Sequence, residues 1–208
     1  MSTTEPRVGE QRPGGRAERV RIAVLGAAAE LLTEVGYDKM RVEDVAIRAG
    51  VHKTTVYRRW PTKAELTADA TALHSAEAVP IPDTGSLLED LRLLAREVAT
   101  NIGSEGGSRR SRSIAAAAAS SDELANAMHG FWAQRLALSA EVVQRAIRRG
   151  ELDANADPEL IIETIVGPLW FRLLLTGESV TEDVADSIVE LVVNGAIPGP
   201  TLPSPIGG

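Results

Sequence analysis

The chain has 208 residues, of which 44% are apolar and 25% charged, and it contains no cysteine. That length can bury a core, while the missing cysteines exclude disulfides, thiolate metal sites and cysteine nucleophiles. The net charge of −7 argues against a nucleic-acid partner only as an average: residues 1–63 carry 12 Lys/Arg against 8 Asp/Glu, and residues 64–208 carry 10 against 21.

A basic first third on an acidic remainder suggests an anion-binding head and a body with another task. Residues 1–15 are polar, hold Gly and Pro but no apolar stretch of a secretory signal, and are expected to form a disordered arm. A first helix follows. Ile22, Leu25, Ala29 and Leu32 recur on one of its faces, and Gly36 is expected to end it. Val42, Val45 and Ala46 begin a short second helix stopped by Gly50; a third runs from Lys53 to Trp60 and stops before Pro61. Thr62-Lys63-Ala64-Glu65 is a capping box that opens a fourth helix through Ala78, and Pro80 and Pro82 break the chain after it. The head is therefore predicted at 16–79.

Ser86 to Glu89 is another capping box, for a fifth helix reaching about Ile102. Gly103 to Ser108 reads as loop, Arg109, Arg110 and Arg112 as a solvated charge run, and Ala115 to Ala119 as a short sixth helix. Ser120 to Glu123 offers a third box, before a seventh helix that ends at Gly150. Asp157-Pro158 pairs an Asp cap with Pro at the first helical position and starts an eighth helix to Thr176. Thr181 caps a ninth, ending at Gly195. The body is predicted at 85–197 and a Pro/Gly-rich disordered tail at 198–208. No segment alternates like a strand between turn signals, so the predicted fold class is all-α with nine helices. No stretch of about 18 uncharged apolar residues exists, so a cytoplasmic protein without a membrane partner is expected.

Val42 to Trp60 (VEDVAIRAGVHKTTVYRRW) reads as helix, glycine-containing turn, helix. Val45, Ala46, Ala49, Val51, Val56 and Trp60 are its inward positions. Two short helices that cross steeply need small residues at the contact and a glycine at the turn. Lys53, Thr54, Thr55, Arg58 and Arg59 then face outward, as cations and small hydroxyls suited to phosphate oxygens and base edges. The competing reading is a solvated face on an ordinary helical corner.

Residues 31–66 (LLTEVGYDKMRVEDVAIRAGVHKTTVYRRWPTKAEL) resemble the N-terminal domain of the tetracycline-repressor (TetR) family. The likeness rests on the apolar pair before Gly36-Tyr37, the Val-x-Asp-Val-Ala second helix, Ala49-Gly50-Val51, the Lys-x-x-x-Tyr third helix and Pro-x-Lys-x-x-Leu. It implies a three-helix DNA-binding head joined through helix four to a dimerising, ligand-binding body. It also implies that Lys53, Thr54 and Thr55 face bases or nearby phosphates, that Tyr57 and Arg59 touch phosphate, and that Lys63 lies against the backbone. The chain departs from the pattern at Met40 and Arg41, where a hydroxyl is usual, and at His52, Thr54 and Arg58-Arg59. Arg41 is read as a further phosphate contact, and Arg58 joins Arg59 as a second guanidinium on the DNA side. Arg7, Arg12, Arg16, Arg19 and Arg21 form another positive stretch, read as a solvated segment ahead of a minor-groove arm.

The eighth helix (PELIIETIVGPLWFRLLLT) is apolar on every side and must be covered on every side. With Val184, Ile188, Leu191 and Val192 of the ninth, it predicts a two-fold four-helix interface between chains. Pro168 is expected to kink helix eight beside Trp170, Phe171 and Arg172. With Phe131 and Trp132, these residues are the candidate effector pocket, Arg172 being the anion anchor. The alternative leaves all four aromatics in the core and Arg172 solvated or paired with an acid. His52, His74 and His129 share no metal-ligand spacing, so neither metal nor cofactor is expected. No catalytic array is recognisable, and no enzyme is predicted. The leading reading is a homodimeric repressor of a palindromic operator, released by a small molecule; the alternative is a helical adaptor of the same fold that no longer binds DNA.

Overall fold

The computed structural model describes residues 15–196, and all regular structure among them is helical. The elements are α1 (Gly15–Lys39), α2 (Val42–Arg48), α3 (Lys53–Arg59), α4 (Lys63–Ala78), α5 (Leu87–Gly103), α6 (Glu105–Ala118), α7 (Asp122–Arg149), α8 (Pro158–Phe171) and α9 (Glu182–Ala196). A π-helical turn, Arg172–Thr176, continues α8. Gly15 already belongs to α1; the rest of the expected arm and the whole expected tail lie outside the described residues.

Short polar side chains set several helix starts. Thr62 Oγ1 accepts from the Glu65 N–H at 3.2 Å, Ser121 Oγ from Leu124 N–H at 3.2 Å, and Asp157 Oδ1 from Glu159 and Leu160 N–H at 3.1 and 3.2 Å. Each satisfies donors that a helix start leaves without a partner. Ser86 does not cap α5 with its side chain. The loop there is held from farther along the chain: Thr84 N–H donates to the buried Asp90 at 2.6 Å and Leu87 N–H to Glu151 at 2.7 Å.

The largest departure from expectation is α6. Gly103 to Ser108 is not a loop, because Ser104 caps a helix beginning at Glu105, its Oγ accepting from Gly107 N–H at 3.1 Å. Glycine and serine are weak helix formers, but Gly107 answers a steric demand. A Cβ there would lie 1.8 Å from the Asn101 carbonyl oxygen, so only glycine permits the tight α5–α6 corner. Arg110 shares the inward face of α6 with Gly107 and Ile114 and is buried, not solvated. The α1 core face also differs: Leu25 and Leu32 are buried as their spacing predicts, but Ile22 is exposed, and Val24, Ala28 and Leu31 complete the face.

Two cores result. The first joins α1–α4 (Leu25, Leu32, Val45, Val56, Trp60, Leu66) to Ile114 of α6 and Leu124, Met128 and Phe131 of α7. The second packs α5, α7, α8 and α9 around Leu91, Leu94, Val143, Ile165, Leu169 and Val189. The head thus rests on α6 and α7, and its hydrophobic interior is completed by them.

Candidate nucleic-acid interface and effector cavity

The turn between α2 and α3 is a Schellman closure: Gly50 N–H donates to the Ile47 carbonyl at 3.1 Å and Val51 N–H to that of Ala46 at 3.0 Å. Gly50 has φ 66°, a left-handed conformation that favours glycine. The turn sets α3 with Val56 inward and fully buried and Trp60 buried at its end. The Trp60 indole N–H donates to Asp69 of α4 at 2.8 Å, fixing the end of α3 to the next helix. Arg48 of α2 forms a forked pair with Glu34 of α1 at 2.7 and 2.8 Å.

The predicted DNA-facing residues divide into two sets. Arg41, Lys53, Thr54, Arg58 and Arg59 are exposed, and among the described residues none of these four cations lies within 4.0 Å of a carboxylate. Thr55 is half-buried beside them. Arg59 stacks its guanidinium 5.5 Å from the Trp60 ring centroid, which steadies a long side chain without neutralising it. Tyr57 and Lys63 are engaged within the head. The Tyr57 hydroxyl donates to Glu43 at 3.4 Å. Lys63 Nζ donates to the Asp38 carbonyl at 3.3 Å and sits 4.1 Å from the Tyr37 ring centroid. Burial holds the Lys63 ammonium below the ordinary lysine range. Arg41 precedes α2 with extended backbone and no side-chain cap bond.

The body encloses a cavity of about 210 Å³ between α4, α5, α6, α7 and α8. Phe131, Trp132 and Trp170 line it, with Trp132 edge-on to Trp170 at 5.0 Å and tilted against Phe131 at 4.7 Å. Phe171 and Arg172 do not line it. On α8 the cavity-facing ridge is Val166, Trp170 and Leu174, so Phe171, one residue on, points about 100° away and is 54% exposed. Arg172 donates through Nε to the Ser179 carbonyl at 2.9 Å and pairs with Glu178 at 3.8 Å. The cations in the cavity wall are instead Arg110 and Arg135. Helical spacing in the sequence carried that signal: Gly107, Arg110 and Ile114 are one stripe of α6, and Met128, Phe131, Arg135 and Ser139 one stripe of α7. A basic residue in an otherwise apolar or small stripe marks a cation aimed inward.

The other α8 face, Leu160, Thr164, Gly167, Pro168, Phe171 and Leu175, is exposed in the single chain, as is Leu191 of α9. Val184, Ile188 and Val192 of α9 are half-buried against the body core.

Residues 24–70 match the family described as bacterial regulatory proteins, tetR family, and residues 81–192 the tetracyclin repressor-like, C-terminal domain. The HTH-type transcriptional regulator AqdR of Rhodococcus erythropolis is 33% identical over 192 residues, which cover 92% of each chain. The DNA-binding transcriptional repressor TetR of Mycobacteroides abscessus is 31% identical over 173 residues, 78% of this chain and 86% of that one. The crystal structure of the TetR family transcription regulator SCO0332 is similar with a TM-score of 0.76 and 31% identity, across 86% of this chain and 100% of that one.

Proposed function

Because this chain belongs to the tetracycline-repressor family of bacterial transcriptional regulators, we propose that it represses transcription as a homodimer on a palindromic operator and leaves the DNA when a small molecule fills its body. It is a helix-turn-helix transcriptional regulator, from a family of regulators and not of enzymes. The observation that carries the reading is α3: a short helix anchored from behind by Val56 and Trp60, with Lys53, Thr54, Arg58 and Arg59 exposed and the three cations unpaired among the described residues. In the major groove, Lys53 and Thr54 at its N-terminal end approach the bases, and Arg58 and Arg59 approach phosphates or guanine edges. Arg41 and Thr55 flank the same contact. Tyr57 and Lys63 reach phosphate once their internal hydrogen bonds exchange for it.

Dimerisation through α8 and α9 is supported by the exposed stripe Leu160, Phe171, Leu175 and Leu191, which water disfavours and a two-fold partner would cover. Two recognition helices must then sit about 34–36 Å apart, one duplex turn. The cavity is the effector site in this reading, with Phe131, Trp132 and Trp170 in its wall. An effector that fits better when α4 and α6 are displaced selects a head spacing that no longer matches the duplex. We place this activity in the cytoplasm; no described helix is long and apolar enough to cross a membrane.

The test is operator binding by the full-length chain at several salt concentrations, on DNA selected from genomic fragments. Affinity should fall steeply with salt as counterions are released. Lys53→Ala and Arg59→Ala should each weaken binding about tenfold and lower the salt slope by about one unit, with the dimer unchanged. Unaltered binding by the double variant would remove α3 as the DNA contact.

A further inference from the structure

The cavity wall contains two guanidiniums and no carboxylate to neutralise them. Arg110 is only 6% exposed. Its Nη1 donates to Thr33 Oγ1 of α1 at 3.1 Å and its Nη2 to Asn101 Oδ1 of α5 at 3.0 Å. Arg135 donates through Nη2 to the Val79 carbonyl at 2.6 Å. Neither lies within 4.0 Å of an Asp or Glu among the described residues, whereas Arg48, Arg92, Arg96, Arg145, Arg148 and Arg149 all do. Six arginines nearer the surface thus have a carboxylate partner, and the two that face the cavity have only neutral oxygens.

That arrangement is costly unless something completes it. A guanidinium removed from water loses solvation that a neutral oxygen restores only in part. Burial pulls both groups below the ordinary arginine range. Each has five N–H donors in a fork that matches a carboxylate, and the protein acceptors above use only some of them. The rest of the wall is largely apolar, with Trp132, Trp170 and Phe131 contributing ring faces and edges. At about 210 Å³ the space exceeds the roughly 150 Å³ of an apolar cavity that holds benzene.

We infer that the effector is a small aromatic carboxylic acid bound as its anion, its ring against Trp132 and Trp170 and its charge neutralised by Arg110 and Arg135. The inference rests on reading the cavity as the effector site. It also identifies a route to the head: a carboxylate that draws Arg110 toward the cavity competes directly with Thr33 of α1 for the same guanidinium.

The experiment compares 2-naphthoate with 2-naphthamide, close in size and shape but different in charge, by calorimetric titration of the full-length protein without DNA. The acid is expected to bind at least about tenfold more tightly than the amide, as a charge-assisted forked pair requires. Arg110→Met and Arg135→Met should each remove most of that preference. Arg135→Lys, which keeps the charge, should retain part of it. The ratio in the unmodified protein decides the charge question without any variant having to fold. Equal affinity for acid and amide, or no binding of either, overturns the inference, and a preference unchanged in both methionine variants overturns the assignment to these arginines. Operator binding is measured separately on the same preparation. Acid preference without DNA binding would sink the regulator reading alone; DNA binding without acid preference would sink this inference alone.

Discussion

At the scale of single residues, His74 shows how the cavity's charges reach a titratable neighbour. Its Nε2 lies 3.0 Å from Asn101 Oδ1, an oxygen that already accepts from Arg110, so Nε2 is the donor of that bond. Burial first, and then the positive charge of Arg110, hold His74 below its ordinary 6.5. An unfolded chain takes up this proton near pH 6.5, while the folded chain resists it until lower pH. The His74 contribution to stability is therefore full above pH 6.5 and declines as pH falls below it toward the folded value. His74→Gln should flatten that decline when denaturation midpoints are compared at pH 7.5 and 5.5; a decline of the same size in the variant would exclude His74 as its source. Little of this was legible from composition, since a lone histidine between Leu73 and Ser75 says nothing of Asn101, 27 positions on.

At the scale of elements, what the sequence disclosed were the parts governed by near neighbours. The capping residues Thr62, Ser121 and Asp157 act within three residues of themselves, and the Gly50 turn closes over five. The head motif, whose contacts are mostly local, was readable almost residue by residue. The start of α6 was not, because Gly106 and Gly107 lack helix preference and are justified only by α1 and α5 passing close by. Misplacing that start hid Arg110, and with it the charge in the cavity. Two glycine substitutions check this account with opposite signs. Gly107→Ala must push a methyl into the Asn101 carbonyl and should destabilise the fold by about 2 kcal/mol or more. Gly130→Ala, exposed on α7 with nothing within 4 Å, should stabilise it by about 0.5–1 kcal/mol. Chemical denaturation of both variants measures the pair, and equal effects would refute the steric role assigned to Gly107.

At the scale of the molecule, the eighth helix read as apolar on all sides, and it divides as that pattern requires. Ile162, Ile165 and Leu169 enter the body core, Val166 and Trp170 face the cavity, and Phe171 with Leu160 is left outside. Phe171 and Leu175, at 54% and 75% exposure, contribute little to the fold of one chain. Phe171→Asp with Leu175→Asp should leave the melting of the isolated chain nearly unchanged while converting a sedimenting dimer to a monomer. Operator affinity should drop by about a hundredfold or more, since each head then binds without its tethered partner. Persistence of the dimer in that variant would move the interface away from α8. The kink expected at Pro168 assigns Trp170, Phe171 and Arg172 to one pocket, but only Trp170 lines it. A helix turns by about 100° per residue, so Trp170 and Phe171 serve different surfaces.

Ile114, Met128 and Phe131 belong at once to the hydrophobic interior of the head and to the lining of the cavity. If the cavity senses an effector as proposed, reader and sensor are therefore not separable cassettes. Trimming any of the three to enlarge the chamber would also remove packing from the hydrophobic interior beneath the helix-turn-helix. Grafting this reader onto a foreign sensor would leave its underside bare. Val98 and Val166, which also line the cavity, pack against the second core and not the first, so reshaping the chamber there leaves the interior of the head intact.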